Sequence, residues 1–291
     1  MSDQPARTGV VIVNFKCYPE LRACLASLLT PDCAAPVVVV DHESDDGERT
    51  RVAREFPAAR IIGEPGNHGF AAGVNRGARE LGGDYLLLLN PDSLVVPGSV
   101  AAMERWLDEH PGVAIAGPRI RDIDHTVQAS ARRFPDFTTA IAGRSSWLTR
   151  VWPRNPLSRR NLPYSLDAIA EPQDVDWVSG ACMIVRRTAF DALRGLDEGF
   201  FLYWEDADFC RRAILAGWRV VYLPIEGTVH TGGASSRHAT DAALTAFHRS
   251  VYRLFTKHAS PATRTLAPLV WVALQLRLAL MRRLVGRRSS T

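Results

Sequence analysis

Neither of the common phosphate-cradling glycine loops occurs in this 291-residue chain. The first apolar run, residues 10–13, leads into Asn14-Phe15-Lys16-Cys17-Tyr18 where a dinucleotide enzyme would carry GxGxxG, and no GxxxxGK(S/T) segment is present. Hydride transfer on a nicotinamide and P-loop phosphotransfer are set aside on that ground. Cysteine is sparse: Cys17, Cys24, Cys33, Cys182 and Cys210 are odd in number and form no CxxC pair. That excludes a disulfide scaffold and predicts buried thiols in a reducing compartment. No apolar signal precedes the first strand-like run, so the expected place is the cytoplasm. A net charge of only +4 excludes a polycation built to neutralise a nucleic-acid backbone.

Acid is missing from the end of the chain. Beyond Asp241 there is no Asp or Glu, while Arg249, Arg253, Lys257, Arg264, Arg277, Arg282, Arg283, Arg287 and Arg288 leave the preceding body mildly acidic. Residues 266–284 are strongly apolar, but Pro268, Gln275, Arg277, Arg282 and Arg283 interrupt them short of the roughly 20 residues that span a bilayer. An interfacial helix on anionic lipid and a helix packed on the body both fit this pattern.

With 46% hydrophobic residues the chain has a sizeable core to bury. Apolar runs at 10–13, 37–40, 60–62, 85–89 and 113–116 alternate with helical patterns at 19–29, 46–55, 70–81 and 98–109. Continuous apolar strands between helices predict an α/β fold: a Rossmann-like, mostly parallel central sheet covered by helices on both faces. A looser, proline-marked stretch from 119 to 175 predicts substrate-facing loops. A strand at 219–223 and helices to the end follow. The expected organisation is a domain over 1–240, with halves meeting near 118, and a helical tail over 241–291.

In such sheets ligands lie beyond the carboxyl ends of the strands, which directs attention to Asn14, Asp41, the 64–67 turn and Asn90-Pro91-Asp92. Asp92 follows the run Leu86–Leu89 and suits either a Mg²⁺ or Mn²⁺ shared with a diphosphate, or a simple turn. Asp41 suits hydrogen bonds to a base or ribose, whereas Asp45 or Asp46 reads as a cap of the next helix, with Asp46 better explained that way. Gly69, Gly73 and Gly77 share one helical face, for close packing or for a ligand. Glu205-Asp206-x-Asp208 opens a helix after Tyr203-Trp204. The helix dipole favours acids there, and a carboxylate beside aromatic rings suits a general base. His230, ahead of Thr231-Gly232-Gly233, is a structural histidine or a phosphate or metal contact.

Together these stretches resemble the family 2 glycosyltransferases of GT-A fold, in their bacterial rhamnosyltransferase-like branch. The matching segments are residues 10–14, 37–47, Asn67–Gly77, Asn90-Pro91-Asp92, Arg132-Arg133-Phe134-Pro135, Asp176–Ala181, Phe200–Arg212 and His230–Ser235, in family order. The resemblance implies inverting transfer from a nucleotide-sugar to a glycan or polyprenyl-diphosphate-linked acceptor. In that reading Asn14, Asp41, Asn67, Gly73, Asn75, Asn90 and Asp92 serve the nucleotide-sugar. Asp92 and His230 hold Mg²⁺ or Mn²⁺, Asp206 with Glu205 supplies the base, and Trp177, Gly180 and Trp204 border the acceptor. Asn90 stands where the family's DxD has its first acid, and His42-Glu43 replaces the usual Asn with a small residue. dTDP-rhamnose is the first expectation for the donor, ahead of UDP-galactofuranose or another UDP- or GDP-hexose. A non-catalytic nucleotide-sugar-binding protein and a nucleotidyltransferase are the rivals. The tail is expected to rest on the anionic inner face of the plasma membrane.

Overall fold

The computed structural model describes residues 7–30, 33, 35–43, 45–134, 166–230 and 240–288. The first half alternates strand and helix as the apolar pattern predicts: β1 (Thr8–Phe15), α1 (Tyr18–Leu28), β2 (Val37–His42), α2 (Asp46–Glu55), β3 (Ala59–Glu64), α3 (Phe70–Ala78), β4 (Tyr85–Leu89), β5 (Ser93–Val95), α4 (Ser99–Glu109) and β6 (Val113–Arg121). Pro19 sits in the first turn of α1, where its missing N–H costs nothing. Asp45, not Asp46, caps α2 by accepting from Glu48 N at 2.9 Å. Asp46 instead pairs with Arg49 one turn on.

The second half supplies β7 (Ala131–Arg132), β8 (Gln173–Asp174), β9 (Trp177–Val178), β10 (Cys182–Arg186), α5 (Arg187–Ala192), α6 (Glu205–Leu215) and β11 (Arg219–His230). Three helices close the chain: α7 (Thr240–His258), α8 (Pro261–Arg264) and α9 (Ala267–Arg288). The main sheet runs β3-β2-β1-β4-β10-β6-β11-β5, with β8 on β11, and β7 pairs β9 separately. Pairs β3/β2, β2/β1, β1/β4 and β6/β11 are parallel, and β10 enters antiparallel between β4 and β6. Most of 119–175 lies at 135–165, outside the described residues.

Strand alternation divides the core in two. Val10, Ile12, Leu87 and Leu89 face α1, α2 and α4, while Val11, Val13, Leu86 and Leu88 face α3, α5 and α6. The glycine stripe of α3 serves this second layer. A Cβ on Gly73 would lie 2.7 Å from Val13 and 2.9 Å from His42 Nε2, and one on Gly77 would lie 2.7 Å from Val11. The space along that face is filled by the sheet's own side chains. Four of the five cysteines are buried thiols and Cys33 is half-buried; none is in a disulfide.

The expected boundary at 240 falls at the first residue of α7, and α7 is stitched to the body. Buried Asp208 accepts from Arg212 (2.8 Å), Lys257 (2.9 Å) and His258 (2.7 Å), and Asp197 accepts from Arg253 and Lys257. Ser250 donates to the Leu202 carbonyl at 2.9 Å. Arg282 grips Asp241, tying α9 to α7. Several cations that the sequence leaves looking free are therefore joints of the fold.

Candidate active site

The carboxyl ends of β4, β6, β9 and β11 and the start of α6 surround a cavity of about 920 Å³. That is room for a sugar nucleotide with part of an acceptor. Its wall includes Asn90, Asp92, Trp177 and Gly180 from the sequence-predicted set, and Trp204, Glu205, Asp206 and His230 beside them.

The α6 end is built on a distorted backbone. Tyr203 and Trp204 lie at φ +68° and +71°, a left-handed conformation that bulky residues rarely adopt. This sharp entry puts Glu205 and Asp206 in the first helical turn with Trp204 at the cavity wall. Asp206 is half-buried, and its oxygens accept from Gly180 N (3.1 Å) and Ala207 N (2.7 Å). Burial raises its pKa, while those amides and the charge of Arg132 pull it back. Glu205 is buried, and its Oε2 has no hydrogen-bond partner among the described residues. Burial first, and the Asp206 charge second, raise its pKa well above the usual glutamate range. The pair thus favours one negative charge over two, and the better-solvated, better-bonded carboxylate is Asp206.

Trp177 is anchored by donation from Nε1 to the Arg133 carbonyl at 3.1 Å. Its ring lies 5.9 Å from that of Trp204 and beneath the Arg132 guanidinium at 5.3 Å. Gly180 brings its backbone against Phe70 and Asp206, where a Cβ would meet the ring at 3.4 Å.

At the opposite strand ends, the turn after β4 is pinned to Ala181: Asn90 N and Ser93 Oγ both donate to its carbonyl, at 3.0 and 3.1 Å. Asp92, 5% exposed, turns inward with Oδ1 3.0 Å from His230 Nε2 at the end of β11. Asn90 Nδ2 lies 3.4 Å from the same nitrogen. Residues 231–235, the remainder of that motif, lie outside the described residues, as does Pro135.

The other predicted nucleotide residues are engaged elsewhere. Asn14 and Asp41, register partners on β1 and β2, bond each other at 2.6 Å, and Tyr18 OH donates to the second Asp41 oxygen at 3.0 Å. Both residues are buried. His42, also buried, sets its ring nitrogens 3.2 Å from the carbonyls of Gly66 and Gly69, and burial lowers its pKa. Asn67 accepts from Gly69 N. Asn75 bonds Leu196 N and O and Glu198, locking the turn after α5. Gly73 is packed as described above. None of the five is in the cavity wall, although Val13, next to Asn14, is.

Over residues 5–253 the sequence matches the glycosyltransferase-like family 2. It is 34% identical, across 96% of its length and 94% of the relative's, to the N-acetylglucosaminyl-diphospho-decaprenol L-rhamnosyltransferase of Mycobacterium tuberculosis. The chain belongs to glycosyltransferase family 2. The rhamnosyltransferase WbbL of Escherichia coli K12 is 25% identical over 85% of the chain and 92% of the relative. Among solved structures, a Pyrobaculum calidifontis mannosyltransferase in complex with GDP-Man and Mn²⁺ superposes with a TM-score of 0.55, at 16% identity, covering 99% of this chain and 82% of that one. The fold is GT-A, as the motifs imply.

For a glycosyltransferase of this family the donor set at Asp92 and His230 fits a divalent ion. Oδ1 and Nε2 stand 3.0 Å apart, the distance of a hydrogen-bonded pair and equally that of neighbouring ligands on an octahedral ion with bonds of about 2.1 Å. Among the described residues no group of three or more His, Cys, Asp or Glu is gathered, so diphosphate and water would complete the shell. Gln128, Phe247 and Arg132 are among the cavity-wall residues to which the sequence assigns no role. Gln128 and Phe247 belong to no quoted motif, and Arg132 does, but its approach to Trp177 and Asp206 is a tertiary contact.

Proposed function

We propose that this glycosyltransferase moves a hexose with inversion, L-rhamnose from dTDP-L-rhamnose in the first instance, onto a hydroxyl of a polyprenyl-diphosphate-linked glycan. The observation that carries the reading is one cavity with a raised-pKa carboxylate, Asp206, and a carboxylate–imidazole pair, Asp92 and His230, in its wall. The two rhamnosyltransferase relatives support the choice of sugar, and the mycobacterial name supports a lipid-linked acceptor.

Asp206 accepts the proton of the acceptor hydroxyl as the oxygen bonds to the anomeric carbon. The bond from that carbon to the diphosphate breaks on the opposite face, and its electron pair leaves with the nucleoside diphosphate. Gly180 and Ala207 amides keep the carboxylate aimed, and burial makes it a stronger base than an exposed aspartate. Burial favours the neutral form of Glu205, which leaves the charge to Asp206. Trp177, Trp204 and Phe247 give the acceptor sugar apolar faces to lie on. A Mg²⁺ or Mn²⁺ at Asp92 and His230 would stabilise the charge that gathers on the departing diphosphate.

The same proposal places the enzyme on the anionic inner face of the membrane that carries its acceptor. One side of α9 packs on α7 through Leu278, Arg277 to His248 (3.0 Å) and Trp271 on Tyr252. The other exposes Leu269, Val272, Leu276 and Leu280 at helical spacing, with exposed Arg264 and Arg283 toward its ends and no acid on the helix. Among the described residues no helix is long and apolar enough to cross a membrane.

Nucleoside diphosphate release tests the reading with dTDP-, UDP- and GDP-sugars, UDP-galactofuranose among them, beside a polyprenyl-diphosphate glycan. Acceptor-dependent release from dTDP-rhamnose, lost on chelation and restored by Mn²⁺ or Mg²⁺, is expected. Release from another donor alone would overturn the sugar, and release indifferent to chelation would overturn the ion.

A further inference from the structure

Gln128 lies outside every motif of the chain, yet its amide meets His230 twice, at the ring and at the backbone carbonyl. Its Nε2 lies 2.5 Å from Asp122 Oδ1 and 2.9 Å from the His230 carbonyl, two groups that can only accept. The amide nitrogen must therefore be the atom facing them, and Oε1 is the atom 3.0 Å from His230 Nδ1. An amide oxygen only accepts, so Nδ1 carries the ring proton. In a neutral ring that leaves the Nε2 lone pair turned to Asp92 Oδ1 at 3.0 Å, with Asn90 Nδ2 at 3.4 Å in position to donate to it. A lone pair facing a carboxylate is unfavourable until a cation, a second ring proton or a metal ion, lies between them.

We propose that Gln128 is a positioning residue: relayed from Asp122, it fixes His230 in the Nδ1–H tautomer and ring orientation that present Nε2, beside Asp92, as a ligand for a divalent ion. The inference rests on the metal reading given above and adds to it the device that sets the imidazole. The local fold supports this role. β6 runs on into a hairpin in which Gln128 N donates to the Ile120 carbonyl (2.8 Å), Asp122 N to the Thr126 carbonyl (2.8 Å), and His125 takes the left-handed turn position at φ +65°. The hairpin holds Asp122 and Gln128 on one side of the β11 terminus, so the relay is complete before any ion or donor arrives. Partners that orient a metal-bound histidine change metal affinity by about 10- to 100-fold when removed.

The test has two readouts. Nitrogen-15 NMR of histidine-labelled, metal-free protein, with the His230 signals assigned by their loss in His230→Asn, should show the Nδ1–H tautomer. In Gln128→Met the ring should lose that preference. Mn²⁺ binding followed by electron paramagnetic resonance, with dTDP present, should weaken at least tenfold in Gln128→Met, while the variant remains folded by circular dichroism and metal-free dTDP binding stays as in the parent. An Nε2–H ring in the parent protein, or unchanged Mn²⁺ affinity and tautomer in a folded Gln128→Met, would overturn the proposal. The tautomer is read without metal, so it decides the role of Gln128 even if the parent protein fails to bind Mn²⁺, a failure that would count against the metal reading itself.

Discussion

Glu205 and Asp206 are neighbours in sequence whose environments assign them different work. Glu205 is 6% exposed, with one oxygen that has no hydrogen-bond partner among the described residues, while Asp206 reaches the cavity and is held by two amides. Because burial raises the folded-state pKa of Glu205, the folded protein binds a proton that the unfolded chain has released. Stability from this group is present below the unfolded pKa and is lost as pH rises through the folded one. Glu205→Gln removes that dependence. In denaturant melts across pH the variant should gain on the parent as pH rises above the usual glutamate range, by about 1.4 kcal/mol per pH unit until the folded-state pKa is passed. A constant difference at every pH would show that Glu205 is not held protonated.

At the scale of elements, the packing of α3 on β1 and β2 depends on two absent side chains, those of Gly73 and Gly77. Gly73→Ala improves helix propensity by about 1 kcal/mol, but its methyl would stand 2.7 Å from Val13 and 2.9 Å from His42. Overpacking of this kind costs about 1–3 kcal/mol. The variant should therefore unfold at lower denaturant, whereas Gly82→Ala, with nothing within 4 Å, should be close to neutral. Much of this architecture was legible in the sequence: residues 46–55 are helical as the pattern predicts, and the apolar runs of the first half are strands. The parallel order of β1, β2, β3 and β4 follows from helices between apolar strands. The antiparallel entry of β10 does not, since Cys182–Arg186 is an equally continuous apolar run and its direction is set by the connection before it. Asp41 and Asn14 were each visible as polar residues at strand ends, but not their mutual hydrogen bond, which only the sheet register creates. Gln128 and Phe247 gave no local signal, because they reach the site through a hairpin and through a helix from the chain's far end.

At the scale of the molecule, the basic end of the chain lines the cavity through one helix and, in the proposed function, meets the membrane through the other. α7 brings Phe247 to the cavity, 5.8 Å from the Tyr203 ring and 5.9 Å from that of Trp204, and α9 covers α7 while exposing its apolar stripe. Flotation with anionic liposomes should carry the parent protein upward, less so at high salt, and Leu276→Glu with Leu280→Glu should leave it at the bottom without loss of fold. Equal flotation of the double variant would remove α9 from the membrane account.

The central claim is that a single cavity performs transfer with Asp206 as its base. The direct test is turnover beside donor affinity for Asp206→Asn, with saturating dTDP-rhamnose and lipid-linked acceptor. The account predicts a loss of about 10²- to 10⁴-fold in the rate of nucleoside diphosphate release, with donor binding within a few-fold of the parent. Retention of the parent rate in a variant that still binds donor would contradict it.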